Sequence, residues 1–181
     1  MLEIVIPESI ADYYNETTGE FVSFPKVVLQ LEHSLASISK WEQKYHVSFI
    51  STKDKTPEQM VYYIKCMTLN GPVDESAYHR LTPNDMKLIN DYMDDPATAT
   101  TVSHTNQSTS KDIITAELVY YWMISAQIPF ECQYWHINKL MMLIEVCGAK
   151  NTPPKKMSRG DLLARNAKLN AERRAKMKSK G

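Results

Sequence analysis

Glycine is scarce in this chain, with five residues among 181, although the loops that cradle phosphates in nucleotide-binding enzymes are built from glycine. Neither a P-loop nor a GxGxxG motif occurs, and the GxSxG elbow of hydrolases and the HExxH helix of zinc proteases are absent as well. These absences remove the common signatures of catalysis. We therefore expect a protein without enzymatic activity and without a cofactor.

Cysteine is rare too, because Cys66, Cys132 and Cys147 are the only three and form no C-x-x-C pair. An odd, unpaired set argues against a disulfide framework and for a reducing compartment. Cys132 and His136 are four residues apart and could share a helix face, but a zinc site needs about four ligands and no second pair accompanies them. We interpret them as a buried thiol beside an interfacial imidazole, and expect no metal.

Long apolar runs are missing: no segment approaches the roughly 20 residues that a membrane span requires. The first residues also lack the basic region and apolar core of a secretory signal. The composition, 43% apolar and 23% charged, is that of a globular protein. We predict a chain that is neither secreted nor embedded in a membrane.

Two segments rich in Val, Ile and Phe, residues 2–6 and 21–31, flank the polar stretch DYYNETTG. They predict one antiparallel β-hairpin, with Pro25 at a bulge or a strand edge. After Ser34 the apolar period changes to that of an amphipathic helix. The residues with this period are Leu35, Ile38, Trp41 and Tyr45.

Two further helices are indicated by their first residues. The segments TPEQ, from Thr56, and TPND, from Thr82, each place a hydroxyl at the N-cap, proline at the first helical position and a side-chain acceptor at the third. The segments 70–72 and 94–96, NGP and DDP, are expected to end these helices. Residues 97–110 are small and polar, and predict an exposed loop.

Residues 111–149 predict a central pair of helices, KDIITAELVYYWMISAQ and QYWHINKLMMLIEVCGAKN, joined at residues 128–131. Helices that are apolar nearly all round are buried on several sides or meet a partner. Gly148 is expected to stop the second helix. The sequence thus predicts a mainly α-helical domain (α+β) with a small N-terminal hairpin, spanning residues 1–149.

The charge of the sequence changes sign at the same boundary, between residues 149 and 150. Residues 150–181 hold eleven of the 21 basic residues and two of the 21 acidic ones, which gives +9 there and leaves −9 in residues 1–149. Ser158 to Asp161 can cap a helix in this basic tail, and we interpret the Arg159-Gly160-Asp161 tripeptide as part of that helix start rather than as an adhesion motif. The tail is predicted to be partly helical. It either binds an anionic partner or is a solvated helix docked on the acidic part of its own chain.

Methionine and aromatic side chains are abundant, with ten methionines, ten tyrosines and three tryptophans. Such residues usually form a protein's own core, but they also suit surfaces that adapt to a partner. Adjacent aromatics such as Tyr62-Tyr63 and Tyr120-Tyr121-Trp122 lie about 100° apart around a helix, so they cannot all face one seam. Some of them are therefore expected on a second surface.

Four blocks resemble one family in the same order along the chain: residues 29–50, 55–69, 117–147 and 170–181. The signatures are LEHSL-SISKWE in the first block and IPFE-x-x-x-WH in the third. Together these blocks are similar to the tail assembly chaperones of tailed bacteriophages, and they are spread over residues 29–181.

The resemblance implies an ATP-independent chaperone of virion morphogenesis, acting in the host cytoplasm during phage assembly. Such chaperones bind the long helical tape-measure protein and keep it soluble until tail-tube subunits polymerise around it. The tube protein, a longer frameshifted form of the chain and further copies of itself on the client are the other implied partners. For the client-binding groove, or the core beside it, we select Trp41, Tyr62, Tyr63, Tyr120, Trp122, Phe130 and Trp135.

Two other classes stay open. One is a structural virion protein of the tail, baseplate or head-completion apparatus. The other is a nucleic-acid-binding accessory protein, although the tail lacks the aromatics used for base stacking. Phosphate binding would use Lys155, Lys156, Arg159, Arg165, Lys168, Arg173 and Arg174. In a chaperone, the same tail would contact acidic stretches of the client, the acidic body of a neighbouring copy or the tube protein.

Overall fold

The computed structural model describes residues 1–17, 19–101, 113–151 and 158–177. By its internal contacts the chain divides into two units, Met1–Gly148 and Ala149–Gly181, one residue from the predicted boundary. A mainly α-helical architecture with a small N-terminal antiparallel hairpin is confirmed.

The base of the hairpin is formed by β1 (Leu2–Ile6) and β4 (Val27–Leu31), which pair antiparallel with Leu2 opposite Leu31 and Ile6 opposite Val27. Side chains alternate between the two faces of such a ladder. One face is therefore buried in the core, and its residues are Ile4, Ile6, Leu29 and Leu31.

A second pair of strands continues the hairpin, β2 (Ser9–Asn15) with β3 (Glu20–Phe24). Pro7 and Pro25 separate the two sheets, because proline has no N–H to donate to the ladder. The expectation for Pro25 thus holds. The prediction that DYYNETTG simply links two strands is wrong, since its first four residues belong to β2 and the hairpin is longer than expected.

The helices α1 (Leu35–Tyr45), α2 (Pro57–Met67), α3 (Glu75–His79) and α4 (Pro83–Asp94) begin where side-chain caps are available. Ser34 caps α1, and both predicted capping boxes form. Thr56 pairs with Gln59 in the first box, and Thr82 pairs with Asp85 in the second. Each box satisfies backbone N–H groups that a helix start leaves without partners.

The helix pair at the centre is α5 (Ala116–Ser125) and α6 (Ile137–Asn151), with a 3₁₀ turn at Phe130–Tyr134 between them. Two predictions are wrong here. The second helix starts at Ile137, because the Ile137 N–H donates to the carbonyl of His33 at 2.7 Å and so ties the helix start to the end of β4. Gly148 does not stop α6, because mid-helix glycine costs only about 1 kcal/mol.

The core lies between the β1–β4 sheet and the helices, with an aromatic stack at its middle. The Phe49 ring stacks on Tyr63 at 3.9 Å between centroids and meets Trp41 edge-on at 5.1 Å. The Trp41 indole N–H donates to the Gln59 carbonyl, so this buried side chain leaves no polar atom unpaired.

A buried carboxylate joins three elements next to this stack. Glu42 on α1 is 7% exposed, and its Oε1 accepts from the Phe49 N–H while its Oε2 accepts from the Ala116 N–H, both at 2.7 Å. The second bond lies at the first turn of α5, where the helix dipole also favours a negative charge. Glu42 therefore holds α1, the loop after it and α5 together.

The second unit contains α7 (Arg159–Met177), which agrees with the prediction of a partly helical tail. Its apolar residues Leu162, Leu163 and Leu169 are exposed. Residues 102–110 of the predicted loop lie outside the described residues, and residues 97–101 form neither helix nor strand.

Replacement of the Glu42 carboxylate tests its structural role. Glu42→Gln keeps the shape but turns an NH₂ group towards a backbone N–H, so we expect the free energy of unfolding to fall by about 3 kcal/mol. Urea unfolding followed by circular dichroism measures the change. Glu131→Gln, at an exposed carboxylate, is the matched control and should stay within about 0.5 kcal/mol of the parent. Equal losses in both variants would contradict the role.

Candidate protein-binding surface

The two sides of α5 differ sharply. Ala116, Val119 and Met123 follow the i, i+3, i+7 spacing and face the core, whereas Tyr121 and Ile124 point away from it and are 62% and 60% exposed. An aromatic and a branched aliphatic side chain thus lie in solvent on the most apolar helix of the chain.

The chain after α5 folds back to extend this surface. Gln127 adopts a left-handed backbone conformation, and the Ile128 N–H donates to the Met123 carbonyl at 2.9 Å, so Ile128 is buried and the following turn is anchored. The turn then presents Phe130, 54% exposed, and Tyr134, 61% exposed.

Contacts with Tyr120 connect the helix to the turn. Its ring stacks on that of Phe130 with 6.2 Å between centroids, and its hydroxyl donates to Gln133 Oε1 at 2.8 Å. Burial raises the pKa of Tyr120, and the neighbouring Tyr134 and Glu117 act in the same direction. We call the continuous surface the α5 aromatic face and define it by Tyr120, Tyr121, Ile124, Phe130 and Tyr134.

Trp135 continues the surface beyond this face. Its side chain is 39% exposed and carries the Lys139 ammonium over its ring at 4.3 Å. Trp135 and Tyr134 line a cavity of about 320 Å³, and Tyr92 and Glu32 line it as well. The Glu32 carboxylate accepts a hydrogen bond from the Tyr92 hydroxyl at 2.6 Å. Exposed apolar surface rimmed by polar groups is typical of protein-binding sites.

The seven side chains selected from the sequence do not form one site. Trp41 and Tyr63 lie in the core and are inaccessible to a partner. Trp122 lies about 200° around α5 from Tyr120, so the two flank the buried side of the helix on opposite edges. The structure brings Tyr120 and Phe130 together, with Trp135 beyond them.

Three members of the α5 aromatic face were missed from the sequence: Tyr121, Ile124 and Tyr134. A signal for the first was present, since the expectation that adjacent aromatics reach a second surface is met by Tyr121, which points away from the buried stripe. Tyr134 carried no such signal, because the predicted helix over 133–149 is a 3₁₀ turn at that point.

Tyr62 belongs to a different surface. It is half-buried on α2, meets Tyr45 edge-on at 5.7 Å and carries the Lys44 ammonium 3.7 Å from its ring centroid. Together with Val61 these residues line a cavity of about 500 Å³. An adjoining cavity of about 460 Å³ is more apolar, and its lining includes Met60, Val61, Leu81 and Met86.

The basic residues selected in the tail are exposed where they are described, and all of these lie on α7: Arg159, Arg165, Lys168, Arg173 and Arg174. Lys155 and Lys156 lie outside the described residues.

The buried histidines form a structural network. His136 Nδ1 accepts from the Asn138 N–H, which makes Nε2 the donor towards the Tyr92 carbonyl at 3.0 Å. His33 lies 5.2 Å from His136 between ring centroids, and its Nδ1 is hydrogen-bonded to the Tyr63 hydroxyl at 2.5 Å. Both imidazoles therefore connect core elements.

Among the described residues, no group of three His, Cys, Asp or Glu side chains lies close enough to hold a metal ion. Cys132 is a buried free cysteine. Within the same ranges, no helix combines the length and the apolar character that crossing a bilayer demands.

Comparisons with known proteins leave the assignment to the residues themselves. No protein-family model, no curated protein and no solved structure matches the chain.

Acidification is expected to destabilise the fold through His33. Burial lowers its pKa from 6.5 to about 3, with His136 and Lys55 contributing in the same direction. Between these two values the unfolded chain binds a proton that the folded chain excludes, so the free energy of unfolding falls by up to about 1.4 kcal/mol per pH unit as the pH drops. Urea unfolding across this range measures the slope.

Two variants isolate the histidine. His33→Gln removes the titrating group. Its free energy of unfolding should therefore fall less steeply with decreasing pH than that of the parent, whatever its absolute stability. His79→Gln, at an exposed histidine, should keep the parent slope. A parent-like slope in His33→Gln would contradict the assignment.

Proposed function

We propose that this protein is a phage tail assembly chaperone, which binds the helical tape-measure protein without ATP and keeps it soluble until the tail tube polymerises. The observation that carries the proposal is the α5 aromatic face, together with the family resemblance of the segment that forms it. Four of its five side chains, Tyr121, Ile124, Phe130 and Tyr134, are exposed, and clustered exposed apolar side chains of this kind are typical of a protein-binding surface.

The composition of the face suits a helical client. An amphipathic helix presents apolar residues every three or four positions, and a shallow aromatic surface can accept such a stripe. Tyr120, Tyr121 and Tyr134 provide apolar area and keep a hydroxyl for water or for the client backbone. Glu117 and Glu131, both exposed, contribute negative charge close to the face.

Release requires that each contact stay weak. Several copies on one long client provide strong overall protection, while each copy remains displaceable by the tube protein. In this proposal the exposed cations of α7 bind acidic stretches of the client or of the tube protein. The site of action is the host cytoplasm.

Co-expression with the tape-measure protein of the same phage tests the proposal. The client should be insoluble alone, soluble with the chaperone, and should co-elute with it on gel filtration. A client that stays insoluble with no complex on the column would overturn the proposal.

Substitutions on the α5 aromatic face locate the binding site. Tyr121→Ser combined with Phe130→Ser removes exposed side chains, so the fold should persist while affinity for the client falls at least about tenfold. Fluorescence anisotropy with a labelled soluble peptide from one amphipathic helical segment of the client measures this loss.

Leu88→Ser is the control, because Leu88 is 52% exposed on α4 and lies outside the face. It should bind like the parent. Equal loss in both variants, or no loss in the double variant, would place the client elsewhere.

The same face favours one second candidate, a structural virion protein, because a permanent subunit interface also presents clustered aromatics before assembly. Mass spectrometry of purified virions separates the two. Absence from the particle supports the chaperone, and stoichiometric presence supports the structural role.

A further inference from the structure

The strands β2 and β3 form the distal part of the hairpin. Arg80 contacts the chain on both sides of this part, at Pro7 and at Pro25. Arg80 donates from Nη1 to the Pro7 carbonyl at 3.0 Å and from Nη2 to the Pro25 carbonyl at 3.3 Å, and its guanidinium lies 5.1 Å from the Phe24 ring centroid. One side chain thus holds both strands where the two prolines interrupt the ladder. We call residues 9–24 the ribbon.

The ribbon carries an exposed aromatic pair. Tyr14 and Phe21 are opposite each other in the ladder, 5.3 Å apart between centroids, and are 58% and 66% exposed. A two-stranded ribbon is only marginally stable in water without something to pack against. Burial of this pair against another surface would therefore stabilise the ribbon as well as the contact.

The ribbon segment is also acidic. It contains three carboxylates, Asp12, Glu16 and Glu20, and Glu8 directly precedes it. No lysine or arginine occurs from residue 8 to residue 24. A partner for the ribbon should combine apolar surface with positive charge.

A surface of this kind lies beside α2. The two adjoining cavities beside α2 share Pro57, Val61 and His79, and we call them together the α2 groove. Half-buried apolar side chains line it: Tyr45, Met60, Val61, Tyr62, Leu81 and Met86.

The α2 groove is lined mainly by basic residues, although the unit that contains it is acidic overall. Lys44, Lys55 and Lys65 line it against one carboxylate, Glu58, although residues 1–149 carry a net charge of −9. Lys65 is paired with Glu75, whereas Lys44 lies over the Tyr62 ring. The groove is therefore apolar and locally basic, which is the complement of the ribbon.

We infer that the ribbon of one copy docks its Tyr14–Phe21 pair in the α2 groove of a second copy, and that the exchange is reciprocal. The reciprocity follows from position: Arg80, which holds the base of the ribbon, lies between His79 and Leu81, which line the groove. A surface and its complement side by side on one molecule can close as a two-fold dimer.

The inference does not depend on the proposed function. The residues of the α5 aromatic face belong neither to the ribbon nor to the α2 groove, so a dimer would offer two such faces. Two linked binding faces raise the avidity for a long client without new contacts to it.

The molar mass of the purified chain, measured by light scattering during gel filtration, tests the dimer. We expect twice the 20.8 kDa of one chain. Phe21→Ala and Tyr14→Ala should each weaken the dimer at least about tenfold with unchanged circular dichroism, and Leu88→Ala should not. A monomeric parent, or a dimer indifferent to both ribbon variants, would overturn the inference. So would a dimer that Tyr121→Ser dissociates and Phe21→Ala leaves intact.

A charge exchange tests which surfaces meet. Glu16→Lys on the ribbon and Lys44→Glu at the groove each place like charges together in a homodimer, so each variant alone should be mainly monomeric. Mixed in equal amounts, they bring opposite charges together in both contacts and should form the heterodimer. Failure of the mixture to dimerise, while each variant is weakened alone, would show that the ribbon does not meet the groove.

Discussion

The carboxylate of Glu42 is buried between α1, the loop that follows it and the first turn of α5, and it accepts backbone hydrogen bonds from Phe49 and Ala116. A buried charge is costly unless such donors surround it. Here they come from segments far apart in sequence, so the charge is satisfied only when α1 and α5 are in place. The Phe49 bond also positions the ring that stacks on Tyr63, and the outward face of α5 depends on the same anchoring.

Some aromatic side chains of the first unit are buried in its core, and others are exposed to solvent. Trp41, Phe49 and Tyr63 are buried and their polar atoms are paired, whereas Tyr121 and Phe130 are more than half exposed although they lie within one apolar segment. Where aromatics are adjacent on a helix, as at Tyr62-Tyr63 and Tyr120-Tyr121, helix geometry causes this separation, because neighbours in sequence point about 100° apart. A stable interior and an adaptable exterior can thus be built from the same residue types, which is the arrangement that a reversible partner of apolar helices needs.

Charge is distributed as unevenly as aromatic surface. The acidic ribbon, the basic groove beside α2 and the carboxylates close to the α5 aromatic face belong to one unit, while the largest excess of cations is in the other. Electrostatic complementarity contributes more to the choice and rate of association than to its strength. With different charges at different surfaces, the proposed contacts with a copy of the chain and with a client would not compete for one site.

Local signals determined much of the fold from the sequence alone. The capping boxes at Thr56 and Thr82 and the period after Ser34 depend on neighbours within four residues, and all three helices start as predicted. The start of α6 and the burial of Trp41 could not be derived in this way, because the first depends on a hydrogen bond to His33 and the second on α2 and Phe49. The candidate surface was found only in part, since Phe130 and Tyr120 meet through a turn whose conformation depends on the anchoring of Ile128. Sequence thus decided which residues are apolar and where the locally capped helices α1, α2 and α4 begin. Only the tertiary structure decided which apolar side chains remain in solvent, because burial depends on what packs opposite each one.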